Sequence, residues 1–119
     1  MIMARVTGIG GIFFRARSPG VLAKWYADHL GITPGLWQQA AGPTVFAPFP
    51  ETSDYFPADR GFMLNLRVDD LSGLVTKLAL AGVAAETRAE WDGDGTYGCF
   101  ARIHDPEGNP VELWQAPGA

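Results

Sequence analysis

Asp105-Pro106-Glu107-Gly108-Asn109-Pro110-Val111-Glu112-Leu113-Trp114 holds a tight turn and the strand that leaves it. Proline presets φ early in the turn, and Gly108 or Asn109 accommodates positive φ, so the chain reverses between two strands here. Residues 96–104 before the turn and 110–115 after it are rich in β-forming side chains. They predict a hairpin whose paired positions have numbers summing to about 214. That register sets Arg102 opposite Glu112, Phe100 opposite Trp114 and His104 beside the turn, close enough across the strands to interact.

Upstream of the hairpin, residues 62–68 read as a strand and Asp69 or Asp70 as a helix cap. Leu71, Leu74, Val75 and Leu78 then form an apolar helical stripe that stops at Gly82. The first half repeats this order. Residues 9–16 are strand-like, Ser18-Pro19 starts a helix by capping and by proline at its first position, and Gly31 ends it. Between them Leu22, Trp25, Tyr26, His29 and Leu30 recur at helical spacing. Arg15 to Arg67 is an offset of 52 and Gly31 to Gly82 one of 51, a near-constant period that suggests duplication.

Short β-rich runs follow each helix, at 33–41 and 44–49 in the first half and at 83–88, 96–104 and 110–115 in the second. Each half thus reads βαβββ, with the run at 33–41 open to division at Gly35. Residues 51–60, with Ser53, Asp54 and Pro57, link the halves. One helix covers one face of each unit's strands and leaves the other face free to curl around a cleft. The expected class is α+β: two βαβββ units, about 5–50 and 61–116, forming curved mixed sheets around a cleft within one domain, 1–119.

A length of 119 residues suits one core, and a hydrophobic fraction of 47% with 18% charged residues is globular composition. The net charge of −4 and the lack of any Lys/Arg cluster exclude nucleic acid, whose phosphates require localised positive charge. Cys99 is the single cysteine, so neither an internal disulfide nor a zinc ribbon can form. Gly8, Gly10, Gly11 and Arg15 interrupt the early apolar residues, which argues for a strand over a signal peptide. No apolar run approaches the roughly 20 residues that span a bilayer. A cytoplasmic protein with no membrane partner is expected.

The 105–114 stretch closely resembles the terminal hairpin of the vicinal oxygen chelate superfamily, which includes glyoxalase, bleomycin-resistance and ring-cleaving dioxygenase relatives. Trp25-Tyr26 before Leu30-Gly31 resembles that family's first helix, and Val68-Asp69-Asp70-Leu71 the start of its second. The resemblance covers nearly the whole chain and implies a sheet wrapped around a divalent metal. Its ligand positions fall on Gly11, Phe46, Met63 and Glu112. Glycine and phenylalanine offer no donor and methionine only a soft thioether, so Glu112 alone survives as a ligand. One carboxylate does not retain a metal, and no metal or other cofactor is expected.

Strand alternation assigns Phe13, Met63, Asn65, Phe100, Arg102, His104, Glu112 and Trp114 to the cleft, and the family's ligand position adds Phe46. Apolar walls with a few convergent polar groups describe a small-molecule pocket, and simple core packing is the alternative for each aromatic residue. Arg102 is placed to pair with Glu112, either as a plain salt bridge or as a positive group that takes a ligand carboxylate. Imidazole is the side chain suited to proton transfer near neutral pH, and Glu112 is placed to orient that of His104, so these two are the candidates for proton transfer. His29, in the last turn of its helix, reads as structural.

Three other signals fail. Gly8-Ile9-Gly10-Gly11 lacks the third glycine of a nucleotide loop and precedes a strand. Asp92-Gly93-Asp94-Gly95 opens like a calcium loop but has Tyr97 and Ile103 at the required glycine and glutamate positions. Cys99 has no neighbouring base and reads as an inert thiol.

The expected function is metal-independent binding of a small aromatic or anionic molecule in the cleft, similar to bleomycin-resistance sequestration. The alternatives are a glyoxalase-like lyase or isomerase, using Glu112 or His104 with an atypical metal site, and a ligand-free scaffold or partner-binding module. A homodimer is expected, because the family's members shield their clefts across symmetric interfaces.

Overall fold

A computed structural model of the chain describes residues 2–118. In chain order it forms helix α1 (Pro19–Leu30), strand β1 (Leu64–Arg67), helix α2 (Leu71–Leu80), the short helix α3 (Ala89–Asp92) and strands β2 (Cys99–His104) and β3 (Pro110–Gln115). The architecture is α+β, with a mixed three-stranded sheet in the order β1-β3-β2.

The 105–109 turn closes through one carboxylate. Asp105 accepts the backbone N–H of Glu107 at 2.9 Å and of Asn109 at 3.0 Å, and the Asn109 side-chain amide at 2.8 Å. Gly108 takes φ +81°, which a side chain would resist. The hairpin register follows from this turn: Phe100 pairs with Trp114, Arg102 with Glu112 and His104 with Pro110. On its other edge β3 runs parallel to β1, with Asn65 beside Glu112. Parallel neighbours need a crossover, and the chain between them carries α2 and β2.

Alternation along the strands sorts the two faces. Ala101, Ile103, Val111 and Leu113 are fully buried against Leu22 and Tyr26 of α1 and Leu71 and Leu78 of α2. The valine, isoleucine and leucine side chains among them each contribute about 1.5–3 kcal/mol by leaving water. Phe100, Arg102, Glu112 and Trp114 project from the opposite face, away from both helices.

The starts of α1 and α2 are capped in different ways. Asp70 caps α2 by accepting the N–H of Gly73 at 3.0 Å. Ser18 caps nothing with its own side chain. Glu107, from the hairpin turn, instead accepts the N–H of Arg17 at 2.6 Å and of Ser18 at 3.0 Å. A carboxylate at this place also suits the helix dipole, and it ties α1 to the sheet. Gly31, at φ +70°, ends α1 in the left-handed conformation.

The β-rich runs of the first half form no strand among the described residues: 9–16, 33–41 and 44–49 are irregular. In the second half, the run at 83–88 contributes a single bridge, Glu86 to Arg102, and the run at 96–104 begins only at Cys99. Strand propensity is expressed only where a sheet edge offers partners for the backbone N–H and C=O groups. The segments 9–16, 33–41 and 44–49 meet no such edge, and they carry exposed side chains such as Leu36, Val45 and Phe46. Thr96 is turned away from β2 by Asp94, which accepts its backbone N–H at 2.9 Å.

Candidate functional site

Glu112 lies at the middle of β3 on the face turned away from α1 and α2, and it is only 6% exposed. A carboxylate so buried requires donors. Asn65, its register neighbour on β1, donates its side-chain amide to Oε1 at 2.7 Å. Tyr55, from the segment that links the halves, donates its phenol to Oε2. Both oxygens are thus met by neutral donors, bonds strengthened by the charge of the acceptor. Burial first, then the bond and charge of Glu112, push the Tyr55 phenol up to about 12, against the opposing pull of Arg102.

Arg102 is Glu112's partner in register and not its partner in charge. Among the described residues no ion pair joins them. The Arg102 Nη2 group donates to the backbone carbonyl of Tyr55 at 2.9 Å. Its guanidinium sits 5.1 Å from the centre of the Tyr55 ring and 5.3 Å from that of Trp91, within cation–π range of both. Arg102 is 9% exposed, and its Nε is buried without an acceptor. An unmet buried donor costs about 1–3 kcal/mol, so this atom marks a place where an acceptor is wanted.

Aromatic rings wall this polar centre. Trp91 of α3 stands edge-on to Tyr55 at 6.4 Å, and Phe49 lies tilted at 5.7 Å from Tyr55 and 5.6 Å from Phe56. Across the hairpin Phe100 and Trp114 stack at 6.4 Å with 9° between planes, and the Trp114 indole donates to the Tyr97 carbonyl at 2.7 Å.

The residues assigned to the cleft do not all meet. Asn65, Arg102 and Glu112 form the polar centre, with Phe100 and Trp114 on the same sheet face. Met63 is half-buried just before β1. Phe13 and Phe46 lie apart, 95% and 85% exposed. His104 is exposed at the end of β2, where it lines a shallow depression of about 340 Å³ with Trp25, Val83 and Asp105. It makes no hydrogen bond to Glu112 among the described residues. The Cys99 thiol is pushed up by burial and by the nearby Asp92 carboxylate, away from the reactive thiolate form.

Tyr55 and Trp91 escape the sequence reading. Tyr55 falls in a segment read only as a linker, and Trp91 in a helix of four residues that no periodicity announces. The one local signal is the density of rings at Phe49, Tyr55 and Phe56 within an otherwise turn-rich stretch.

The residues around Glu112 do not fit a divalent ion. One carboxylate, one carboxamide and one phenol face each other there, and both carboxylate oxygens are taken by hydrogen bonds. Among the described residues no three His, Cys, Asp or Glu side chains gather as ligands. What the arrangement does offer is an acceptor held inside an aromatic wall, beside a cation with a donor to spare.

No family model and no curated protein matches the chain. Among solved structures, it is similar to TnmS3, an antibiotic binding protein from Streptomyces sp. CB03234. The two share 25% sequence identity and a TM-score of 0.50, over 82% of this chain and 86% of that one. Among the described residues no helix is long and apolar enough to cross a membrane.

Proposed function

We propose that this protein binds a small aromatic or anionic molecule at Glu112 and holds it without turnover, in the manner of a bleomycin-resistance protein. The observation that carries the reading is the buried Glu112 carboxylate, held by the neutral donors of Tyr55 and Asn65 under a wall of rings. Pockets of this kind bind through apolar contact and orient through a few polar groups. The antibiotic-binding description of TnmS3 agrees with that chemistry. Arg102, Asn65, Phe100 and Trp114 contact the ligand in this reading, and Met63 borders the site.

The same reading makes the chain one domain of the vicinal oxygen chelate type, working in the cytoplasm as a homodimer. Its two βαβββ units, about 5–50 and 61–116, close around the cleft when a second copy covers the first half. The exposure of Phe13, Leu36 and Phe46 supports this, because large apolar side chains left in water favour association. A dimer mass by light scattering at micromolar concentration is expected, and a monomer contradicts it.

The function is tested by calorimetric titration with bleomycin and a panel of aromatic and carboxylate-bearing antibiotics, followed by chromatographic recovery of the ligand. One-to-one capture with the ligand recovered unchanged is expected. Conversion of the ligand to a product would establish an enzyme instead, and failure to bind any member of the panel would leave a scaffold.

A further inference from the structure

We propose that the site takes a neutral hydroxyaryl compound, a phenol or a larger homologue, which enters by replacing the side chain of Tyr55. The inference rests on the reading of this site as a small-molecule cleft and narrows its ligand class. Tyr55 lies in neither a helix nor a strand. It belongs to segment 51–60, whose own backbone bonds are the short turns from Ser53 to Pro50 and from Arg60 to Pro57. Its side chain nevertheless fills the centre of the site as a bound molecule would.

Each contact of the Tyr55 ring is one a free phenol reproduces. The hydroxyl donates to Glu112, the ring centre lies 5.1 Å from the Arg102 guanidinium, and the ring makes a T-shaped pair with Trp91 at 6.4 Å between centres. A plain arene in that place leaves Glu112 one donor short, and an unmet buried carboxylate is costly. A carboxylate-bearing ring sets its charge against that of Glu112, and like charges in one site repel. A neutral ring that carries a hydrogen-bond donor satisfies both the acceptor and the rings, and the phenol is the form whose fit Tyr55 itself displays. A second observation points to an occupant larger than Tyr55. The Arg102 Nε remains buried and unpartnered with Tyr55 in place, so a hydroxyaryl compound that carries an acceptor beside its ring meets a donor that the Tyr55 side chain leaves unused.

Tyr55→Ala empties the place and makes the idea measurable with p-cresol, toluene and p-toluate as calorimetric probes. We expect p-cresol to bind the variant about tenfold more tightly than it binds the unaltered chain, which keeps its own phenol in place. It should also bind the variant about tenfold more tightly than toluene or p-toluate does. Adding Glu112→Gln should shrink that preference several-fold, because the acceptor loses its charge. If Tyr55→Ala does not fold, the unaltered chain serves. There p-cresol at millimolar concentration should shift the NMR signals of the Asn65 side-chain amide and the Trp91 indole, and toluene and p-toluate should not. Equal or tighter binding of toluene or p-toluate overturns the phenol assignment and leaves a small-molecule cleft standing. Binding of none of the three overturns it as well, and the antibiotic titration then judges the broader reading by itself.

Discussion

Tyr26 and Asp105 stand 79 positions apart in the chain, and the phenol of one donates to the carboxylate of the other at 2.8 Å. This buried bond joins α1 to the hairpin turn, and Asp105 at the same time organises that turn through Glu107 and Asn109. Tyr26→Phe removes the donor and leaves the ring in place. We expect a loss of about 1.5–3 kcal/mol, the range for a hydrogen bond to a charged group, measured by urea denaturation. An unchanged midpoint would show that the bond adds nothing to stability.

Alkaline pH should weaken the fold through Tyr55. Its phenol is pushed up to about 12 from an ordinary 10.0, so the unfolded chain releases this proton before the folded one. The stability linked to Tyr55 is therefore complete below pH 10 and is lost as pH rises toward 12. Urea midpoints taken across that range should fall more steeply for the unaltered chain than for Tyr55→Phe. Tyr26, raised by burial and by Asp105, acts with the same sign in both chains, so the difference isolates Tyr55.

Acid should act through Glu107 in the opposite sense. The backbone N–H groups of Ser18 and Arg17 hold its carboxyl below the ordinary 4.5. Its contribution is present above that value and disappears as pH falls through the lower folded value. Glu107→Gln should be less stable than the parent at pH 6 and should lose less on acidification to pH 3, followed by far-ultraviolet circular dichroism. Parallel acid profiles for the two chains would refute the tie between the turn and α1.

Gly98 is held at φ +94°, and a Cβ there would collide with the backbone oxygen of Gln115 and come within 3.2 Å of the Trp114 indole nitrogen. Gly98→Ala should cost about 1–3 kcal/mol from strain and displaced backbone. The near-ultraviolet dichroism of Trp114 should change with it. A variant as stable as the parent would mean that β2 begins without the close approach to Gln115.

The hairpin was legible because its chemistry is local. The 105–109 turn sets the register, so the opposition of Arg102 to Glu112 and Phe100 to Trp114 follows from counting. The end of α1 at Gly31 is legible for the same reason, and the start of α2 to within the pair Asp69 and Asp70, of which Asp70 is the cap. The runs at 9–16, 33–41 and 44–49 have strand-forming side chains, and pairing depends on an edge that sequence does not display. The polar centre brings together Tyr55, Asn65, Trp91, Arg102 and Glu112 from five separate stretches. Alternation selected the three on strands. It had nothing to say about Tyr55, in a linker, or about where Arg102 would send its charge.

Docking of α1 on the hairpin has a consequence for synthesis. The helix is made long before the residues that hold it, since Asp105 and Glu107 follow Tyr26 and Ser18 by 79 and 89 positions. At about 5–20 residues per second, Tyr26 waits on the order of 4 to 16 s on the ribosome for its anchor. Throughout that delay the newborn amino-terminal half holds its rings and aliphatic chains without a platform, and a chaperone that shields nascent chains would find its client there.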